Sequence, residues 1–162
     1  MTEEIKVQFS NYIGTKHVNG FPMNKGTYCK LRGWDVPADE DPSENGYLVE
    51  YTDSLPNHPQ FRGYISWSPA PVFESTYFNV DKGCTFGCAI ELVKTGSRMS
   101  RKAWNGKGMY ITLVSSKYWS MDKHENSTCR KRHWLGIKTV DNEFMPWVPS
   151  QSDILAEDWI IM

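Results

Sequence analysis

The spacing of apolar residues along the chain changes at about residue 85, and that change organises everything else. Before it, apolar positions come in short alternating runs. Residues 47–51 place Tyr47, Val49 and Tyr51 on one side and Leu48 and Glu50 on the other, the period-two pattern of a strand. Residues 12–18 and 64–67 read as further short strands, with Gly46 and Gly63 as turn residues just ahead of their strands. Pro69-Ala70-Pro71 stops the third strand, and Pro71 opens a short helix through Phe73, Glu74 and Tyr77. The polar stretch after residue 18 gives no periodic signal. Residues 37–46 are acidic, carry two prolines and read as a surface loop.

After residue 85 the period lengthens. Phe86, Ala89, Ile90 and Val93 fall at i, i+3, i+4 and i+7, one apolar face of a helix, with Thr85 as its N-cap and Gly96 as its C-terminal stop. Strands are expected at 97–104, 109–114 and 134–140. Asn105-Gly106 is read as a type I′ turn between the first two, because both of its central positions need positive φ. Residues 115–132 read as a charged loop. Asp141-Asn142 turns into Glu143-Phe144-Met145, and Ser150-x-x-Asp153 has the form of a capping box opening a short helix. Residues 158–161 read as a closing strand. The expected fold is α+β: a small antiparallel sheet with one main helix in the C-terminal half, and a mostly β or irregular N-terminal half. The join at residues 79–83 is short and polar, so the domains are expected at 1–80 and 81–162.

Charge narrows the function classes. The 18 Lys+Arg and 19 Asp+Glu give a net charge of -1, which supplies no global field for a nucleic-acid polymer or an anionic bilayer. Locally the signs separate: residues 94–107 hold Lys94, Arg98, Arg101, Lys102 and Lys107 with no acid. No run of about 18 apolar residues is present to span a membrane. The acidic start Met-Thr-Glu-Glu-Ile-Lys lacks the apolar core of a secretory signal. A cytoplasmic protein with reduced cysteines (Cys29, Cys84, Cys88, Cys129) is therefore expected.

Seven tryptophans in 162 residues is a high share, and Trp is enriched both in small cores and at binding sites. In 101–110 and 146–159, cations, amides, carboxylates and three tryptophans sit on short elements. Arg and Lys suit phosphate, Trp faces suit a base, and Asp, Asn or Gln suit ribose hydroxyls. The candidate ligand-binding residues are Arg101, Trp104, Asn105, Lys107, Met109, Trp147, Gln151, Asp153, Asp158 and Trp159. Each also has a purely structural role to weigh: turn residues for Asn105 and Gly106, a salt bridge for Arg101, a helix cap for Asp153. Cys84, Cys88, His124, Cys129 and His133 match no standard zinc spacing, so no metal is expected. The chain contains no G-x-S-x-G, Walker loop or H-E-x-x-H, and it is read as a binding protein that needs no cofactor rather than an enzyme.

From about Phe86 to Met162 the order of residues resembles a phage and prophage domain. The resemblance is carried by Ala89, Gly96, Arg101-Lys102, Trp104-Asn105-Gly106-Lys107-Gly108-Met109, Lys138-Thr139, Pro146-Trp147, Ser150-Gln151, Asp153, Leu155-Ala156 and Asp158-Trp159. Through that domain the chain resembles the second class of phage Thoeris anti-defence proteins. The resemblance implies a small α+β protein that binds and holds a cyclised isomer of ADP-ribose, the messenger of a bacterial immune system, without cleaving it. It also implies homotetramers with pockets between protomers, relatives that take other cyclic nucleotides, and a site of action in the cytoplasm of an infected bacterium. The first half resembles a second phage-associated module through 12–16, Arg32-Gly33-Trp34, 37–40, 46–51 and 63–69. That likeness gives provenance without chemistry. A module that binds a host protein through this aromatic first half is the alternative reading.

Overall fold

The computed structural model describes residues 10–11, 13–119 and 130–162. The chain divides into two compact units, split between Ser75 and Thr76.

The first unit is a three-stranded antiparallel sheet of β1 (Asn19–Pro22), β2 (Gly46–Tyr51) and β3 (Tyr64–Pro69), with β2 central. The register pairs Phe21 with Leu48 and Leu48 with Trp67, so these three share one face. Helix α1 (Lys25–Arg32) buries Tyr28 against Leu48 and Ile65, with Leu31, Phe61 and Trp67 around them. Asn24 caps α1 by accepting the Thr27 N–H at 2.8 Å. Gly33 ends it in the left-handed conformation, at φ 69°. At the outer edge of β3, Asn57 accepts from Ile65 N–H at 2.8 Å and donates to Ile65 C=O at 2.9 Å, and the Tyr28 hydroxyl donates to the same carbonyl at 3.4 Å. Helix α2 (Ala70–Thr76) follows β3 directly.

Two expectations for this unit are corrected. Residues 13–18 form no strand, Tyr12 lies outside the described residues, and the edge strand is Asn19–Pro22 instead. The polar stretch contains α1, an amphipathic helix whose apolar face is only Tyr28, Cys29 and Leu31.

The second unit is a five-stranded antiparallel sheet in the order β7-β6-β5-β4-β8. These strands are β4 (Met99–Arg101), β5 (Tyr110–Val114), β6 (Trp134–Lys138), β7 (Phe144–Pro146) and β8 (Trp159–Ile161). Helix α3 (Phe86–Lys94) packs on one face. Thr85 caps it, as its sequence suggests, and Thr95 ends it ahead of Gly96. Ala89 and Val93 from α3 meet Met99, Ile111, Ile137 and Trp159, all buried, with Cys84 beside them. Phe86 flanks this core, whereas Ile90 stays outside it. Helix α4 (Gln151–Ile154) is a single turn with both halves of the Ser150–Asp153 capping box formed.

The Asn105-Gly106 turn is the main correction here. β4 ends at Arg101, well short of the expected Trp104, and residues 102–109 form an eight-residue connection to β5. Neither Asn105 nor Gly106 has positive φ; Gly108 does, at 74°. The two-residue turn is therefore absent, and the connection is held by side chains instead.

Candidate functional site

Three indoles meet beside the end of β4. Trp104 comes from the 102–109 connection, Trp147 from the segment after β7, and Trp159 from β8. Their ring centroids are 6.3 Å (104–147), 5.4 Å (104–159) and 6.0 Å (147–159) apart, each pair edge-to-face at 72–76°. That is the geometry aromatic quadrupoles prefer. Phe86 of α3 backs the group, 5.6 Å from Trp159 and 6.3 Å from Trp147. Trp159 is fully buried and forms the floor, while Trp104 and Trp147 keep part of their surface exposed.

An ion network fixes this cluster. The Arg101 Nε donates to Asp158 Oδ1 at 2.8 Å. Its terminal Nη1 donates to Asp153 Oδ1 at 2.9 Å and to the Ser152 carbonyl at 3.3 Å. Asp153 also accepts the Trp104 indole N–H at 3.4 Å, the Ser150 N–H at 3.0 Å and the Ser150 hydroxyl at 2.6 Å. Asp158 Oδ2 accepts the Ala103 N–H at 2.8 Å, and the Trp159 indole donates to the Asp153 carbonyl at 3.0 Å. β4 and the 102–109 connection that follows it are thus tied to α4 and the start of β8, across sequence separations of 49 to 57 residues.

Burial by itself would push both carboxyls up. For Asp153 the hydrogen bonds from Ser150, Arg101 and Trp104 outweigh it, and the pKa falls below the ordinary value. For Asp158 the Arg101 guanidinium and the Ala103 N–H do the same. The Asp158 hydrogen bond, joined by that of Asp153, raises the Arg101 pKa against its own desolvation. All three groups are charged near neutral pH, a local net of -1.

This arrangement sorts the sequence-derived candidates. Arg101, Trp104, Trp147, Asp153, Asp158 and Trp159 converge, but the guanidinium is already committed to two carboxylates. Asp153 does cap α4. Met109 packs against the core, near Gly106 and Val140. Asn105, Lys107 and Gln151 are exposed, and their side chains make no hydrogen bond among the described residues. Two contributors were not singled out as site candidates. Phe86 had a signal, since it lies on the apolar face of α3. Lys138 reaches the 102–109 connection with its Nζ 3.5 Å from the Gly108 carbonyl, and only the cross-strand register Tyr110–Lys138 reveals that.

Among the described residues, no group of three His, Cys, Asp or Glu side chains is placed to hold a metal ion; His124 and Cys129 lie outside them. Nor is any helix among them long and apolar enough to cross a membrane.

A family model for the Thoeris anti-defense 2-like domain matches residues 84–162, nearly the whole second unit. Thoeris anti-defense 2 of Bacillus phage SP01 is 40% identical over 84 residues, which are 48% of this chain and 93% of that relative.

Proposed function

The chain belongs to the Thoeris anti-defense 2-like family through its second unit, and on that premise we propose that it inhibits Thoeris defence by binding a cyclised ADP-ribose isomer and holding it intact. The observation that carries this reading is the meeting of two partly exposed indoles, Trp104 and Trp147, on segments that also carry Asn105, Lys107 and Gln151, exposed residues whose side chains make no hydrogen bond among the described residues.

The division of labour follows from the site's charges. Arg101, Asp153 and Asp158 satisfy one another, so their role is to hold the indoles and the 102–109 connection in place. A diphosphate brought to this local net of -1 needs cations outside the trio. Lys107 on the connection and Lys138 beneath it are the groups for that. Trp104 and Trp147 take the base or wall the pocket, and Asn105 and Gln151 face the ribose hydroxyls. The hydrogen bonds that hold Asp153 and Asp158 in their charged forms argue against either carboxylate acting as a general base. Sequestration without cleavage is the function this chemistry supports, and it works by mass action in the cytoplasm of the infected cell. A nanomolar Kd, on the order of -12 kcal/mol, would make it effective.

One wall of tryptophans does not enclose a ligand of that size. Val148 and Leu155, 84% and 80% exposed, flank the indole cluster in sequence, and Ile154 is also exposed. We assign these apolar residues to contacts between copies of the chain in a homotetramer that deepens the pocket. Other cyclic nucleotides fit the same combination of stacking and phosphate contacts.

Calorimetry of the full chain with the cyclised ADP-ribose isomer tests this, followed by heating and chromatography of the released ligand. Nanomolar binding with the ligand recovered unchanged is expected. Trp104→Ala should weaken binding on the order of tenfold or more, the worth of a stacked base. Recovery of an altered ligand would make the protein an enzyme. Absence of heat with this and related cyclic nucleotides would remove the messenger reading.

A further inference from the structure

The first unit has a groove of its own, whose one charged lining residue is an acid, Glu74. A groove of about 390 Å³ opens between the end of β1, the start of β2 and helix α2. Pro22, Met23 and Ala70 supply apolar wall. Asn24, Asn45, Tyr47 and Glu74 supply polar lining. The Tyr47 hydroxyl donates to Glu74 Oε1 at 2.8 Å, while Phe73 stacks on the Tyr47 ring with centroids 4.3 Å apart. These contacts fix the direction of the carboxylate. Glu74 Oε2 and the Asn45 side-chain amide have no partner among the described residues.

Among the described residues of the unit, no cation pairs with this carboxylate. Lys25, at the start of α1, is bound to Glu40 and Glu44 at 2.9 and 2.6 Å and lies over the Trp67 ring. The imbalance extends to the whole unit. Residues 1–75 carry six Lys+Arg against ten Asp+Glu, a net of -4, while residues 76–162 carry twelve against nine, a net of +3. The near-neutral total of -1 conceals two units of opposite charge.

We propose that this groove docks a lysine or arginine side chain of a protein partner. The alkyl stem lies along Pro22, Met23 and Ala70, and the cationic head bonds to Glu74 and the Asn45 amide oxygen. Apolar and polar lining together match the two parts of such a side chain. A carboxylate with an unused oxygen, on a unit of net -4, favours a basic segment over an acidic or neutral one.

The test is an NMR titration of the ¹⁵N-labelled full chain with the capped peptides Gly-Lys-Gly and Gly-Arg-Gly, using Gly-Gln-Gly and Gly-Glu-Gly as controls. Saturable shifts at Asn45, Gly46, Tyr47 and Glu74 with the basic peptides alone are expected. Glu74→Gln should weaken them about fivefold, the worth of one exposed ion pair. Tyr47→Phe keeps the carboxylate and should retain selectivity for the basic peptides. Added salt should weaken binding to the wild-type chain, a readout independent of any variant's folding. Equal shifts with the glutamine peptide, or shifts confined to other residues, would overturn the proposal. So would concentration-dependent shifts of the same resonances without peptide, which would make the occupant a second copy of the chain.

Discussion

Replacing Arg101 with alanine removes the one cation that two aspartates share. The side chains of Arg101 and Asp153 are 15% and 12% exposed, and that of Asp158 is 28% exposed. An exposed ion pair contributes about 0–1 kcal/mol. Breaking a fully buried one costs about 3–5 kcal/mol, because the remaining charge is left uncompensated. This network lies between those limits. Asp153 would keep its bonds from Ser150 and Trp104, and Asp158 its bond from Ala103. A loss of about 2–3 kcal/mol follows from placing it between the two classes. For a unit of this size that corresponds to roughly 10–20 °C in Tm. Urea denaturation at pH 7, followed by tryptophan fluorescence, measures it directly, since three of the chain's tryptophans adjoin the network. Arg101→Lys retains the charge but loses the planar fork, and should recover part of the stability. A loss below about 1 kcal/mol for Arg101→Ala would place the network with ordinary surface pairs and refute its assignment as the scaffold of the site.

The same network sets an acid limit. Asp153 and Asp158 have folded pKa values below their unfolded ones, so their contribution is complete above about pH 4–5 and is lost as pH falls through the folded values. Acid unfolding of the second unit should therefore steepen below about pH 4, and Asp153→Asn should flatten that limb while lowering stability at pH 7. Ser150→Ala removes an N-cap and should cost about 1 kcal/mol in the same urea assay. Burial pushes the Cys84 thiol up to about 11, so in the native protein Cys84 should alkylate far more slowly at pH 8 than the partly exposed Cys88; equal rates by mass spectrometry would contradict its burial. In the first unit, a Cβ on Gly63 would collide with the Tyr51 carbonyl and lie 2.9 Å from Thr52 Cα, both backbone groups. Gly63→Ala should destabilise that unit by about 1–3 kcal/mol and leave messenger calorimetry unchanged.

What the sequence disclosed depended on whether the deciding force was local. The Thr85 cap, the Ser150–Asp153 box and most of the α3 apolar face are local and present in the structure, Ile90 alone of that face lying outside the core. Strands β2 and β3 were legible because β2 places Tyr47, Val49 and Tyr51 at period two and Pro69 closes β3. Helix α1 was hidden because its apolar face is so small, although Asn24 and Gly33 stood at its ends as cap and stop. Asn105-Gly106 misled in the opposite direction. Its turn preference is real, but the connection is set by distant partners, Asp158 on Ala103 and Asp153 on Trp104. Likewise Arg101 suits phosphate by residue type. Only the fold reveals that two carboxylates, 52 and 57 residues further along, already occupy it.

Among the residues proposed to meet the ligand, those tied into the scaffold and those with idle side chains are different residues. Substituting Arg101, Asp153 or Asp158 disturbs several segments at once, so selection should hold them nearly fixed. Among the described residues, the side chains of Asn105, Lys107 and Gln151 bond to nothing else, so substituting them leaves the scaffold intact. A change of preference at the proposed site can therefore come from those three positions alone, with the framework that carries them unaltered.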